Sequence, residues 1–201
     1  YRHDPNDEAS LSNDVVSAVL VDHLGNVWVG SNGGLDLLDQ KTGKFKHHIY
    51  NKDDSTSLSH NVVRAIYEDK AGELWVGTGF FTDANIGGLN RFHRNSEAFI
   101  RYLSDPANPK TLIDNRVEAI FEDSQGIFWV GTNGDGLHTL DRKTGFFKRL
   151  TYDPMRLEQL SRPPLIDNID HITFIAEASD KSIWIGTWKN GLTQYDPLSK
   201  T

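Results

Sequence analysis

Short runs of apolar and β-branched residues, broken by Gly, Asn and Asp, follow one another along the whole chain. None reads as a long helix. The clearest stretch begins with a β-branched run over 62–68. The turn Asp69-Lys70-Ala71-Gly72 follows, with glycine where a positive φ is expected. Apolar runs over 74–78, 88–92 and 99–102 come next. Each has strand length and ends in turn residues, so the stretch predicts four antiparallel strands, a to d.

The stretch recurs. Asn26-Val27-Trp28-Val29-Gly30-Ser31, Glu73-Leu74-Trp75-Val76-Gly77-Thr78, Ile127-Phe128-Trp129-Val130-Gly131-Thr132 and Ser182-Ile183-Trp184-Ile185-Gly186-Thr187 share one pattern. Their tryptophans lie 47, 54 and 55 residues apart and account for four of the five in the chain. Asp22-His23-Leu24-Gly25 and Asp123-Ser124-Gln125-Gly126 repeat the first turn. In the fourth unit Ala178-Ser179-Asp180-Lys181 stands there; it reads as two residues longer and lacks glycine, so a different turn is expected. A four-stranded unit of roughly 40–55 residues is one propeller blade, and a blade buries its faces only by stacking on others.

The expected fold is therefore all-β: a β-propeller segment of four blades, each a four-stranded antiparallel meander, the last lacking its outer strand. It covers residues 1–201, with units near 11–50, 58–102, 112–152 and 165–201. A pair of β-sandwiches is the alternative, and it leaves the regular tryptophan spacing unexplained. Tyr1 aligns with Tyr50, just after a fourth strand, and the last residues align just before one. The expectation is a piece of a longer protein that continues with further blades, and whose open ends self-associate, two copies making an eight-bladed ring.

The repeated residues read as structural. Trp28, Trp75, Trp129 and Trp184 supply apolar area between blades. Gly30, Gly77, Gly131 and Gly186 let another backbone approach. Ala18, Ala65 and Ala119 suit a crowded axis, and Leu11, Leu58, Leu112 and Leu165 read as plugs between blades.

Composition narrows the function. Apolar residues make up 37% of the 201 and charged residues 24%, as in a folded domain. A net charge of −7 argues against nucleic acid as the partner. No apolar run approaches the roughly 18 residues of a membrane span, so no membrane contact is expected within the segment. The start, Tyr1-Arg2-His3-Asp4-Pro5, lacks the features of a signal peptide. Without cysteine there is no disulfide, thiolate metal site or cysteine nucleophile. The sialidase Asp-box is excluded, because its Asp and Gly are two apart and here Asp22 and Gly25 are three apart. The run 39–44 is similar to the docking motif of quinone-cofactor propeller dehydrogenases, but Phe45-Lys46 replace the expected tryptophan. It reads as a tight turn, and no cofactor is implied.

The pattern Val-x-x-Ile-x-Glu-Asp-x-x-Gly-x-Leu-Trp-Val-Gly-Thr over 63–78 resembles the two-component regulator propeller repeat. It recurs over 16–31 and 117–132, and more loosely over 170–187. The Asp-rich link over 53–61, ending Leu-Ser-x-Asn, is also similar. The resemblance implies the periplasmic sensor region of a bacterial hybrid two-component system or histidine kinase. In such proteins the propeller precedes a small β-sandwich, a membrane helix and the signalling output, and many respond to glycan breakdown products. No fixed set of binding residues accompanies the repeat.

Topology points to one face. The a–b and c–d turns are short throughout; every length variation falls in the b–c connections and the links between units. Residues 80–86 are inserted in unit two, and the link over 153–167 is long. Loops on a rigid scaffold carry binding. The candidates there are Phe80, Phe81, Asp83, Asn85, Asn133, Asp135, Trp188, Lys189 and Asn190. Arg64, Glu118, Asp170 and His171 break the apolar pattern near the axis. Aromatic rings beside Asn, Asp and Arg suit an oligosaccharide or another small ligand, although Phe80 and Phe81 also suit packing on a neighbouring blade. Two other classes stay open: a propeller enzyme, such as a metal-dependent lyase with His171 and Glu118 as an acid–base pair, and a protein docking scaffold. No His-x-His or His-Glu-x-x-His spacing occurs among the eight histidines, so no catalytic or metal-binding residue is assigned.

Overall fold

A computed structural model describes residues 1–80, 82–134, 136–150, 171–188 and 191–196. They form four antiparallel sheets with no helix. The first holds β1 (Val16–Val21), β2 (Val27–Ser31), β3 (Leu35–Asp39) and β4 (Lys44–His48). The second holds β5 (Val63–Glu68), β6 (Leu74–Phe80), β7 (Asp83–His93) and β8 (Ala98–Tyr102). The third holds β9 (Val117–Glu122), β10 (Phe128–Thr132), β11 (Gly136–Asp141) and β12 (Phe146–Arg149). The last holds β13 (Ile172–Glu177), β14 (Ile183–Thr187) and β15 (Leu192–Tyr195). Each sheet is a meander in sequence order, and the three-stranded last sheet is as expected. The inner strands β1, β5, β9 and β13 pack side by side.

The recurring tryptophans explain the stacking. Trp28, Trp75 and Trp129 are buried, and each meets an aromatic ring of the following sheet: Phe92 at 5.3 Å, Phe128 at 4.7 Å and Tyr195 at 5.9 Å. Burying such a ring contributes roughly 2–3 kcal/mol. Their indole N–H groups donate to Asp22, Asp69 and Asp123, each at 2.9 Å. Arg94 and Arg142, from the following sheets, close onto Asp22 and Asp69, both at 2.7 Å. Burial alone would raise the Asp22 carboxyl, but hydrogen bonds from Asn26, Trp28 and Arg94 outweigh it and hold the group well below the usual carboxylate range. Trp184 lacks this arrangement. Ala178 replaces the aspartate, and the half-buried indole donates instead to Ser182 at 3.1 Å.

The glycines act as slots. A Cβ at Gly77 would lie 2.7 Å from the carbonyl oxygen of Val117 in the next sheet. One at Gly30 would collide with Val63, and one at Gly131 with Ile172. Leu11, Leu58 and Leu112 are buried. Leu58 and Leu112 belong to the apolar clusters joining the first sheet to the second and the second to the third. Leu165 lies outside the described residues.

Two local expectations are corrected. The fourth a–b turn is the same turn as the others and no longer. Ala178 N–H bonds to Ser182 O at 2.9 Å and Lys181 N–H to Ala178 O at 3.0 Å, as in the bonds from Asp22 to Asn26 and from Gly25 to Asp22. Lys181 takes the left-handed conformation, φ 74°, where Gly25, Gly72 and Gly126 have 82°, 80° and 83°. The hydrogen-bond frame thus imposes the turn on a non-glycine residue. The second correction concerns the insertion in unit two, where Phe80 and residues 83–86 extend the β6–β7 hairpin: Phe80 pairs with Asp83. Gly79, Gly87 and Gly88, all at positive φ, bend it.

Candidate functional site

The b–c end of the sheets is built by one repeated contact. The first residue beyond the common strand-b Thr or Ser turns back to the start of strand a. Asn32 N–H donates to Val15 O at 3.1 Å, Gly79 to Val62 at 2.9 Å, Asn133 to Arg116 at 2.8 Å and Trp188 to His171 at 3.1 Å. Just inside, every inner strand carries a bulge, at Ser17, Arg64, Glu118 and Thr173. A bulge re-aims one side chain at the rim of a sheet. Here all four bulged residues are polar. The Ser17 hydroxyl donates to the Val63 carbonyl of the next sheet, with the Gly30 carbonyl at 3.3 Å, and the Thr173 hydroxyl donates to the Gly186 carbonyl at 3.4 Å. Arg64 Nε donates to Gly79 O at 3.3 Å, and its guanidinium lies 5.9 Å from the Phe80 ring centre. Glu118 accepts from Asn133 Nδ2 at 2.8 Å.

Charge gathers between the second and third sheets. Arg116 forms a forked pair with Asp114. That pairing raises the Arg116 pKa above its ordinary value, with the charges of Glu118 and Asp83 acting in the same direction. Asn115 Nδ2 donates to Asn85 O at 3.1 Å and so ties the long hairpin to the start of the third sheet. On the last sheet the His171 ring is buried and packs against Trp188, centroids 5.2 Å apart, while Trp188 is 67% exposed. Burial lowers the His60 pKa, opposed by Asp83.

Two acceptors stand out. Asn32 Oδ1 and Asn133 Oδ1 are buried and have no hydrogen-bond partner among the described residues. They occupy equivalent positions on the first and third sheets. An unpaired buried carbonyl costs about 1–3 kcal/mol, which a donor from a ligand or water recovers.

The candidates thus fall into pairs: Arg64 with Phe80, Glu118 with Asn133, and His171 with Trp188. Asp83 and Asn85 are exposed on the hairpin. Phe81, Asp135, Asp170, Lys189 and Asn190 lie outside the described residues, as does the link over 153–167. Asn32, Asp114, Asn115 and Arg116 were missed. The last three sit in what reads as linker, and aligning positions counted back from each tryptophan would have found them. Among the described residues no group of three or more His, Asp or Glu side chains is placed to hold a metal. A cleft of about 660 Å³, lined by Leu37, Thr42, Lys44 and Phe45 among others, flanks the outer strands of the first sheet, away from this end.

Four-stranded meanders stacked with their inner strands side by side define a β-propeller, and the chain is an arc of four of its blades. The two component regulator propeller repeat matches residues 10–33, 57–80 and 111–134, one stretch leading into each of the first three blades. No curated protein matches the chain in sequence. Similar solved structures include the extracellular domains of two hybrid two component systems from B. thetaiotaomicron. One is 23% identical with a TM-score of 0.66, over 96% of this chain and 30% of that one. The other is 20% identical with a TM-score of 0.70, over 97% of this chain and 25% of that one. Virginiamycin B lyase from Staphylococcus aureus is also similar, at 16% identity and a TM-score of 0.57, over 92% of this chain and 57% of that one. At these identities the likeness is one of fold, and the chain spans less than a third of either extracellular domain.

Proposed function

We propose that this chain is a non-catalytic ligand-sensing module from the extracytoplasmic, periplasmic region of a two-component signalling protein. Its ligand is a small or oligomeric, glycan-like molecule bound at the b–c end. The carrying observation is the pair of equivalent unsatisfied carbonyls, Asn32 Oδ1 and Asn133 Oδ1, the latter on the amide that donates to Glu118, at the end of the sheets that also carries Arg64 and the exposed ring of Trp188. Hydroxyl groups satisfy such acceptors and aromatic faces cover sugar rings. The regulator repeats and the extracellular neighbours support the sensory and extracytoplasmic parts of the reading. The lyase among the neighbours keeps an enzyme as the competing class.

A panel of neutral and acidic oligosaccharides tests this by thermal unfolding. A ligand at about a hundred times its Kd adds about 2.7 kcal/mol and raises Tm by roughly 5–10 °C. Asn133→Ala should erase the shift. No shift from any sugar at millimolar concentration, or turnover of any of them, would refute the proposal.

A further inference from the structure

The links into the second and third blades are each held by an arginine of the outer strand. Arg101, opposite Asn90, donates Nε to Ser57 O at 2.7 Å and Nη2 to Asp54 O and Leu58 O at 2.7 and 2.9 Å. Arg149, opposite His138, donates Nε to Thr111 O at 3.1 Å and Nη2 to Leu112 O at 3.2 Å. A guanidinium keeps its charge throughout the working pH range. In the first blade the same register position, opposite Asp36, holds His47. All three side chains are half-buried.

His47 sets both ring nitrogens against acceptors. Nδ1 lies 2.6 Å from Asp36 Oδ1, and Nε2 lies 2.8 Å from Glu8 O. A neutral imidazole carries one N–H, so both bonds form only on the charged ring. The Asp36 carboxylate is buried, and its other oxygen accepts the N–H and hydroxyl of Ser12 at 3.0 and 2.7 Å. Burial opposes the charge on His47, but the bonds to Asp36 and Glu8 outweigh it and raise the pKa above its ordinary value. Asp36 supplies the charge that acts on the ring; Glu8 supplies its main-chain carbonyl. The link carboxylates Asp4 and Asp7 accept the N–H groups of Asn6 and Ala9 at 2.9 and 3.0 Å. Lys46 and His48 alternate to the other face of β4, Lys46 against Glu97 and His48 among the rings of Trp28, Phe92 and Phe99.

We propose that His47 makes the link into the first blade pH-sensitive. Charged, the ring ties Glu8 to Asp36 and holds the link against β3 and β4. Once neutral, it keeps its bond to the buried carboxylate and releases the Glu8 carbonyl. The neighbouring bond, from Phe45 N–H to Ala9 O at 2.8 Å, loosens with it. Its counterparts, from Phe99 N–H to Thr56 O at 2.7 Å and from Phe147 N–H to Lys110 O at 2.8 Å, lie beside the arginine clamps and stay closed. The folded pKa lies above the unfolded value of 6.5, so the clamp is complete below that pH and is lost as pH rises through the folded value.

Amide hydrogen exchange by NMR, from about pH 6 to about pH 8.5, tests this on the unmodified chain and on His47→Arg. With the intrinsic pH dependence of exchange divided out, protection at Phe45 in the parent should fall about tenfold relative to Phe99 and Phe147, as the loss of one charge-assisted hydrogen bond predicts. In His47→Arg the ratio should stay constant. Nitrogen-15 spectra should show both His47 ring nitrogens protonated at the acid end of the range and one at the alkaline end. Protection at Phe45 that keeps pace with Phe99 in the parent overturns the proposal. So does a His47 ring already neutral at the acid end, or a fall in His47→Arg equal to that in the parent.

Discussion

Protonating His138 should loosen the link that enters the third blade. Its Nε2 accepts the N–H of Ile113 at 3.2 Å, next to the buried plug Leu112. Asp36 and Asn90 hold the equivalent residues Ser12 and Ser59 at 3.0 and 2.9 Å. His138 alone of the three anchors loses its acceptor when it gains a proton. Burial drives its pKa down to about 4, against the carbonyls of Val130 and Gly136, which favour the charged ring. With the unfolded value near 6.5, the unfolded chain binds more protons between those limits. Stability therefore falls as pH drops from about 6.5 to about 4, and this one group accounts for roughly 3 kcal/mol. His138→Asn copies the anchor of the second blade and removes the titration. Urea unfolding of both proteins from pH 7 to 4.5 measures the effect, and the other histidines cancel in the difference. The parent should be the more stable at pH 7 and lose about 2–3 kcal/mol relative to the variant by pH 4.5. A difference between the two proteins that stays constant across that range would refute the reasoning.

Two further outcomes follow from the repeat. Ala178→Asp offers Trp184 the charged acceptor of the other blades in place of Ser182 and should stabilise the last blade by about 1 kcal/mol, read as a rise in Tm; a fall would show that the aspartate needs the arginine partner seen at Asp22 and Asp69. Gly77→Val drives a side chain into Val117 and should cost about 3 kcal/mol or more in denaturant unfolding, whereas Gly186→Val, where the nearest described atom to a Cβ is that of Phe174 at 3.3 Å, should cost this chain less than about 1 kcal/mol. Equal costs at the two sites would contradict the slot description.

What could be read without coordinates was what is local. Strand alternation, the aspartate–glycine turns and the tryptophan spacing depend on residues within one unit, so the sheets, their order and the stacking were legible. So was the end at which the loops of variable length gather, because an antiparallel meander sends all b–c connections one way. The fourth a–b turn was misjudged because glycine at the left-handed position was taken as a requirement; the backbone hydrogen bonds set the turn, and Lys181 adopts it. Contacts between blades were not legible. Asp22 meeting Arg94, Glu122 holding Lys70, and Val63 filling the Gly30 slot join residues from different units. No sequence period encodes which atoms meet when two twisted sheets close. The bulges at Arg64 and Glu118 and the unsatisfied oxygens of Asn32 and Asn133 belong to the same category. Their orientation and burial come from neighbouring sheets, and only the stacked structure decides them.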